Sequence, residues 1–202
     1  LKKRFWKTAT VQPLDAGFTV HLDQRRLTTP LRTAMVLPTR ALAAAIAAEW
    51  QAQGDKVDPA TMPMTRRANA ALDKVTPQHA EVAALLAKYG ASDLVCYRAD
   101  HPAELVDRQA QAWDPILTWA ETEFGVRLTV TSGIMPVAQT PQNLRVLKEN
   151  VEGMDPFSLA GFYDLVALSG SLLIAFATIR LANDPGEMWR ISQLDEDWQA
   201  EL

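Results

Sequence analysis

One cysteine, Cys96, stands among the 202 residues, so no internal disulfide can form and the chain suits a reducing compartment. Long apolar runs are also missing. Residues 165–179 carry no charge over fifteen positions and are interrupted by Ser169-Gly170-Ser171. A membrane-spanning helix needs roughly 20 apolar residues. We therefore expect a buried core helix over this stretch and no stable membrane insertion.

The signatures of nucleotide and metal chemistry are absent too. Nine glycines are scattered, and none forms a Walker-type loop or a Gly-x-Gly-x-x-Gly turn. His21, His79 and His101 lie far apart, and a single cysteine makes a structural zinc site implausible. The sequence therefore predicts neither a cofactor nor a metal.

No catalytic constellation can be recognised. Ser169-Gly170-Ser171 does not match Gly-x-Ser-x-Gly and follows no predicted strand, so its small residues are expected to allow close helix packing. Cys96 has apolar neighbours, as a buried thiol would. Carboxylates such as Glu121 and Glu123 point to different faces of a helix and indicate solvated charges. We expect no catalytic residue.

Charge is unevenly distributed along the chain. The net charge of −4 argues against a nucleic-acid binder. Residues 1–40 carry eight Lys or Arg against two Asp, whereas residues 181–202 carry six acidic residues against Arg190 alone. The acidic end includes Asp195-Glu196-Asp197-Trp198-Gln199. Both ends are compatible with solvated surfaces, and both are compatible with binding to a charged partner.

Six tryptophans are many for a chain without a cofactor site. Trp50, Trp113 and Trp119 lie on predicted helical segments and are expected in the core. Trp189 and Trp198 lie in the acidic end, where an exposed indole is a typical anchor for a protein interface. Trp198 folding back onto its own domain is the competing interpretation, and the sequence leaves both open.

The pattern of elements predicts an α+β fold with a small β-rich N-terminal domain, residues 1–60, and a larger all-helical domain, residues 61–202. The β-rich part has alternating or β-branched stretches at 5–12, 18–22, 26–29 and 34–37, with a hairpin turn at Asp23-Gln24-Arg25. Thr39 can cap one helix, which Gly54 would end. Residues 55–63, with two prolines, are the predicted linker.

Helices are predicted throughout the second part. They cover 65–75 and 77–89, a long segment from Pro102, and further segments from Pro141, Pro156 and about Pro185. Within the long segment, Pro115 predicts a kink or a restart with Asp114 as its cap. Residues 126–131 are predicted to be extended.

Ten short motifs in this order resemble the Atp12 family, assembly chaperones for the F1 sector of ATP synthase. The resemblance runs along nearly the whole chain. It rests on the following elements, in chain order: Phe5-Trp6-Lys7; Gly17-Phe18-x-Val20-x-Leu22-Asp23 leading to Thr29-Pro30; Leu37-Pro38; Glu49-Trp50-x-x-Gln53; Met62-Pro63-x-Thr65; Asp93-Leu94-x-Cys96-Tyr97-Arg98-Ala99; Gln109-x-x-x-Trp113-Asp114-Pro115; Thr131-x-Gly133-Ile134; Gly170-Ser171-Leu172-Leu173; and Asp195-Glu196-x-Trp198-Gln199.

The resemblance implies a function as well as the two-part fold. Family members hold the newly made α subunit of F1 until it pairs with β, and they do so without hydrolysing ATP. We accordingly expect the α subunit as partner, no nucleic acid, and a monomer. Asp195 and Glu196, with Trp198 as anchor, are the first predicted partner-binding residues. Glu49 and Trp50 are the second choice, and Trp50 is expected to be structural.

Two departures from the family pattern stand out. Gln24 occupies the place where the hairpin of family members has a glycine, which leaves the turn type open. Family members also continue past the Trp-Gln element with Trp-Gly and further acidic residues, whereas this chain stops at Leu202. Part of the docking surface would be missing with that tail.

Other functions stay open on sequence alone. One is a small metabolic enzyme whose site is assembled from distant residues such as Arg98, His101 and Asp164. Another is a permanent subunit of a complex. No targeting segment is visible at the basic N-terminus, so we expect bacterial cytoplasm, or the mitochondrial matrix for a chain trimmed of its transit peptide.

Overall fold

The computed structural model describes residues 3–133, 135–181 and 184–201. They pack as two compact units. One holds the described residues up to His79 together with Asp155–Ala160, and the other holds Ala80–Met154 and the described residues from Gly161 onward. A small N-terminal sheet precedes a mostly helical remainder, which confirms the predicted fold class. Packing does not decide which parts fold independently, so the domain division at residue 60 stays a prediction.

A three-stranded antiparallel sheet opens the first unit. Its strands β1 (Ala9–Leu14), β2 (Gly17–Leu22) and β3 (Arg25–Arg26) lie in chain order. Gly17 begins β2 at a φ of 135°, and a Cβ there would lie 2.4 Å from the carbonyl oxygen of Leu37. Only glycine therefore fits where Leu37 pairs antiparallel with the start of β2.

The β2–β3 hairpin explains how Gln24 replaces a glycine. Of the two turn residues, Asp23 takes the positive φ, 52°, and Gln24 does not. A type I′ turn needs positive φ at both positions, so it is excluded. The Asp23 carboxylate accepts backbone N–H bonds from Lys7 and Thr8, which lower its pKa. These bonds hold Asp23 in the turn, and no glycine is needed after it.

The other predicted N-terminal strands are mostly absent. Residues 5–8 precede β1 and form no strand. From the stretch 26–29, only Arg26 lies in a strand, β3. The stretch 34–37 forms two isolated bridges, Thr28↔Ala34 and Phe18↔Leu37. The expected alternation in β2 also fails at Thr19, which is fully buried. Its hydroxyl donates to the Met35 carbonyl at 2.7 Å, and this bond satisfies a polar group that the pattern placed at the surface.

Helix α1 (Arg40–Gln51) packs on the sheet and begins as predicted, because the Thr39 hydroxyl accepts the Leu42 N–H at 3.2 Å. It ends at Gln51, before Gly54. Ala43, Ile46 and Ala47 are buried in a core shared with β2 and with residues outside the strands: Trp6, Val20, Leu22, Leu27, Met35, Leu37 and Ala68. Ala9 and Val11 of β1 pack against this core. Each large buried side chain contributes about 1.5–3 kcal/mol.

The segment after α1 is helical from residue 63 to residue 91. A 3₁₀ turn (Pro59–Thr61) leads into α2 (Pro63–Ala70), a π-helical stretch (Ala71–Val75), a second 3₁₀ turn (Thr76–Gln78), α3 (His79–Ala87) and a third 3₁₀ turn (Lys88–Ala91). At the predicted break, Thr76-Pro77, the chain therefore tightens into a 3₁₀ turn and the helix does not end.

Helix α4 (Ala103–Phe124) runs through Pro115 without the predicted restart. An internal proline removes one helical hydrogen bond and costs about 3 kcal/mol. Trp113, Ile116 and Ala120 are nevertheless buried along one face. Their burial favours a continuous helix, which ends at Gly125 in the left-handed conformation.

Two short strands interrupt the otherwise helical second unit. β4 (Tyr97–Arg98) follows a 3₁₀ turn (Leu94–Cys96) and pairs in parallel with β5 (Thr131–Ser132). Of the predicted extended stretch 126–131, only Thr131 lies in a strand. Ile134, the last residue of its motif, lies outside the described residues.

The remaining helices are α5 (Pro141–Glu152), α6 (Pro156–Ser169), α7 (Leu172–Arg180), α8 (Pro185–Ser192) and α9 (Leu194–Glu201), and their prolines mark three starts as predicted. A single helix over 165–179 was the wrong expectation. Gly170, at a φ of 67°, follows α6, and Ser171 caps α7. Residues 172–177 are buried. No helix within the described part of the chain is long and apolar enough to cross a membrane.

Candidate docking site

The first predicted site lies on the short helix α9. Asp195, Glu196 and Asp197 occupy its first turn, where negative charge interacts favourably with the exposed N–H groups of the helix. The helix contacts α4 and α8. The three predicted residues Asp195, Glu196 and Trp198 all lie on α9. Their contacts with the rest of the protein differ.

Asp195 attaches α9 to α4. Its Oδ1 accepts a hydrogen bond of 2.7 Å from Nε2 of Gln109, which is 2% exposed. The other end of that amide, Oε1, accepts the Ala99 N–H at 2.8 Å. A chain of bonds thus runs from the end of β4 through α4 to α9, and one Asp195 oxygen is engaged inside the protein.

Trp198 is half-buried and lies beneath Arg108. The guanidinium of Arg108 is 4.8 Å from the Trp198 ring centroid and also pairs with Glu201 at 2.9 Å and Glu104 at 3.0 Å. Trp198 therefore folds back onto its own unit but keeps an exposed part, and its role as an interface anchor stays a prediction.

Glu196 and Asp197 are the carboxylates of this helix that remain available. Both are exposed, and neither side chain has a hydrogen-bond or ion-pair partner among the described residues. On the preceding helix α8, the Trp189 side chain is 46% exposed. A charge and a large apolar group are therefore both accessible on adjacent elements.

Glu49 caps the following helix in the first unit. Its carboxylate accepts N–H bonds from Met64 at 2.6 Å and Thr65 at 2.8 Å, and the Thr65 hydroxyl at 2.7 Å. Met62, the N-cap residue of α2, makes no side-chain cap bond. The sequence contained a signal for this capping role of Glu49. Met62-Pro63-x-Thr65 starts a helix without a capping side chain of its own, so a cap from elsewhere in the chain could be expected.

Trp50 packs edge-to-face on Trp6, with ring centroids 5.1 Å apart. The indole nitrogens of both residues are buried without a hydrogen-bond partner among the described residues. Trp50 therefore belongs to the packing of the first unit, as expected. Glu49 and Trp50 lie in that unit, whereas the three α9 residues lie in the other.

The residues named for a dispersed enzyme site have other contacts. Arg98 donates to the Val95 carbonyl and pairs with Asp114, both at 2.8 Å. His101 pairs with Asp100, and its side chain is 87% exposed. Asp164 is half-buried. Across the part of the chain that the structure describes, no three or more His, Cys, Asp or Glu side chains are grouped to hold a metal.

The buried carboxylate of Asp93 was not predicted as special. Ser171 donates to its Oδ1 at 2.6 Å, and the Leu173 N–H donates to its Oδ2 at 3.0 Å. Burial raises the pKa of Asp93 to about 6, against the lowering effect of these bonds. Burial likewise raises the pKa of the Cys96 thiol to about 12. Both groups lie in the core, where the Asp93 carboxylate holds the start of α7.

The family profile of the ATP12 chaperone protein matches residues 3–121, more than half of the chain. The chain belongs to this family. The recognition made from its motifs is therefore confirmed.

Solved structures of ATP12 relatives agree over almost the whole chain. A crystal structure of Atp12 from Paracoccus denitrificans is 46% identical, covers 98% of this chain and 85% of that one, and superposes with a TM-score of 0.96. A structure from Agrobacterium tumefaciens is 37% identical, covers 98% of this chain and 75% of that one, with a TM-score of 0.91.

A curated relative is more distant. The mitochondrial protein atp12 of Schizosaccharomyces pombe is 22% identical over 190 residues, which are 88% of this chain. The chain spans 65% of the length of that protein. Membership of the ATP12 family places the chain among chaperones.

Proposed function

We propose that this chain is an ATP-independent chaperone that binds the unassembled α subunit of the F1 sector of ATP synthase and promotes its assembly with β. Family membership carries the proposal, since ATP12 proteins are ATP synthase assembly chaperones. In this role the partner is the α subunit, and the chain performs no catalytic step and binds no cofactor.

The physical need for such a protein follows from the client. An α subunit without β exposes a large apolar interface, and exposed surfaces of that kind aggregate. A chaperone has to cover the interface and leave when β competes for it. An interface of standard size, about 1,200–2,000 Å² in total, with affinity that is not extreme, meets both requirements.

Within this proposal, α9 is the docking element and Glu196 its principal charge. The carboxylate is exposed and has no partner among the described residues, so pairing with a basic group on α would break no bond inside this chain. Asp195 contributes its remaining oxygen and fixes the helix through Gln109. Trp198 offers the exposed part of its indole. Charges at such a rim mainly set orientation and association rate.

Glu49 and Trp50 have a supporting part in the proposal. The bonds of Glu49 to Met64 and Thr65, and the packing of Trp50 on Trp6, fix the shape of the first unit. We propose that they affect client binding through that shape rather than by direct contact.

The test compares two single charge reversals. Glu196→Lys changes the proposed docking charge, and Glu121→Lys makes the same change on an exposed α4 position without a side-chain partner in the described structure. Association with purified F1 α is followed by surface plasmon resonance. We expect Glu196→Lys to slow association several-fold while Glu121→Lys does not. Equal association rates for both variants and the unaltered chain would remove Glu196 from the site.

We further propose a monomer acting where F1 is assembled, in the bacterial cytoplasm or the mitochondrial matrix. The relatives include a bacterial protein and a mitochondrial one. Sedimentation equilibrium should return a mass near 22.3 kDa at micromolar concentration. A mass near twice that value would show a dimer instead.

A further inference from the structure

We infer that a basic pocket in the first unit binds an acidic, partly apolar peptide segment of a partner protein. The pocket has a volume of about 1030 Å³ and lies wholly within the first unit. No residue of α9 lines it. The chemistry of the bound segment is set by the pocket and does not depend on which protein is the client.

The pocket has an apolar and aromatic lining. Trp6, Leu27, Trp50 and Val57 line it, and so does Phe5, whose side chain is 60% exposed. Small-molecule sites usually have volumes of 300–1,000 Å³, so this space is at the upper end of that range. Phe5 packs edge-to-face against Trp6, with ring centroids 5.2 Å apart, and an exposed aromatic pair of this kind can hold an apolar side chain of a peptide.

The charges around this lining have one sign. Five basic side chains line the pocket and no carboxylate does: Lys3, Arg25, Arg26, Arg32 and Arg66. All five are exposed, and none forms an ion pair with a carboxylate within the residues that the structure describes. Four of them belong to the eight Lys and Arg of residues 1–40. An uncompensated cluster of this kind attracts an anionic partner.

Three carboxylates of the first unit accept bonds from neutral donors and form no ion pair with the five cations in the described structure. Asp73 accepts hydrogen bonds from the hydroxyls of Thr29 at 2.7 Å and Thr33 at 2.9 Å, which hold the loop carrying Pro30 and Arg32. Glu49 is occupied at the start of α2, and Asp23 in the β2–β3 turn.

Three lining residues also carry polar atoms without partners. They are Nε1 of Trp6, Nε1 of Trp50 and Oδ1 of Asn69, all buried and unbonded among the described residues. Buried polar groups are normally hydrogen-bonded, so a small side-chain movement that brings them partners is favourable. A peptide supplies both the carbonyl acceptors and the N–H donor that this set requires, whereas an inorganic anion supplies acceptors alone.

A nucleic acid fits the molecule less well than a peptide. The whole chain carries a net charge of −4, and the pocket is a local exception to that balance. Nucleic-acid binders commonly present a basic stripe along an entire face. An acidic peptide with an apolar residue between carboxylates satisfies the cations and the aromatic lining together.

The experiment measures binding of a fluorescein-labelled peptide of alternating Glu and Leu to the full chain by fluorescence anisotropy. The test variant is Arg25→Glu with Arg66→Glu, and the milder pair Arg25→Gln with Arg66→Gln serves should the reversal unfold the protein. The matched control is Arg40→Glu with Arg127→Glu, two exposed arginines outside the pocket. We expect the pocket variants to raise the Kd about tenfold or more, and the control to leave it unchanged.

Several results would overturn the inference. One is equal affinity of the control and the pocket variants for the acidic peptide. Another is equal binding of a Lys-Leu peptide, which would show an apolar surface without charge selectivity. Displacement of the peptide by a single-stranded oligonucleotide at lower concentration than by unlabelled peptide would assign the pocket to nucleic acid.

Discussion

Replacing Glu49 with alanine should destabilise the start of α2. This result would show that Glu49 has a structural role, whereas a docking residue could be replaced without destabilising the helix. The carboxylate accepts three bonds, from the Met64 N–H, the Thr65 N–H and the Thr65 hydroxyl. Losing a helix cap costs about 0.5–2 kcal/mol, and losing a negative charge at a helix N-terminus costs about 0.3–1 kcal/mol more. Because Met62 offers no replacement cap, we expect a loss of about 2 kcal/mol.

Hydrogen exchange measured by mass spectrometry reports this change locally. A loss of about 2 kcal/mol corresponds to roughly thirty-fold faster exchange across α2, since 1.4 kcal/mol is a factor of ten. Glu49→Gln keeps an acceptor but loses the charge, so it should have about half the effect. Glu121→Ala is the control and should change stability by less than about 0.5 kcal/mol. Unchanged exchange in Glu49→Ala, together with weaker binding of F1 α, would refute the structural reasoning.

Three further predictions follow from buried or paired groups. Asp93 has a pKa of about 6 in the fold against an ordinary 3.8, so the folded state binds its proton more tightly and the unfolding free energy should fall as pH rises from 4 to 6. Asp93→Asn should flatten that slope in urea titrations, and an unaltered slope would contradict the assignment. Cys96, fully buried with a pKa raised to about 12, should resist a thiol reagent at pH 8 until urea unfolds the chain; labelling of the folded protein at the unfolded rate would disprove this. Arg108→Ala should loosen α9, seen as several-fold faster amide exchange there, because the contact with the Trp198 ring and the ion pair with Glu201 are lost; unchanged exchange would show that these contacts contribute nothing.

Much of the architecture could be predicted because its signals are local. Thr39 ahead of an apolar stripe, and the prolines at 141, 156 and 185, mark helix starts through single residues. The exceptions depended on tertiary packing. The burial of Trp113 and Ile116 keeps α4 continuous through Pro115, and the bond from Thr19 to Met35 buries a side chain that alternation placed outside.

The site was less predictable than the fold because partners inside the chain are distant in sequence. Gln109 reaches Asp195 across 86 positions, and Arg108 reaches Glu201 across 93. No spacing rule joins such pairs. The acidic stretch marked α9 as a surface, and the three-dimensional contacts separated the available Glu196 from the engaged Asp195.

The measurement that tests the central proposal most directly is the solubility of newly made F1 α in a purified translation system with and without this chain. ATP is removed by an ATP-hydrolysing enzyme after synthesis, and soluble α is measured after centrifugation. We predict that the chain keeps α soluble without ATP and that added β then releases it into αβ complexes. Aggregation of α at the same rate with and without the chain would contradict the account.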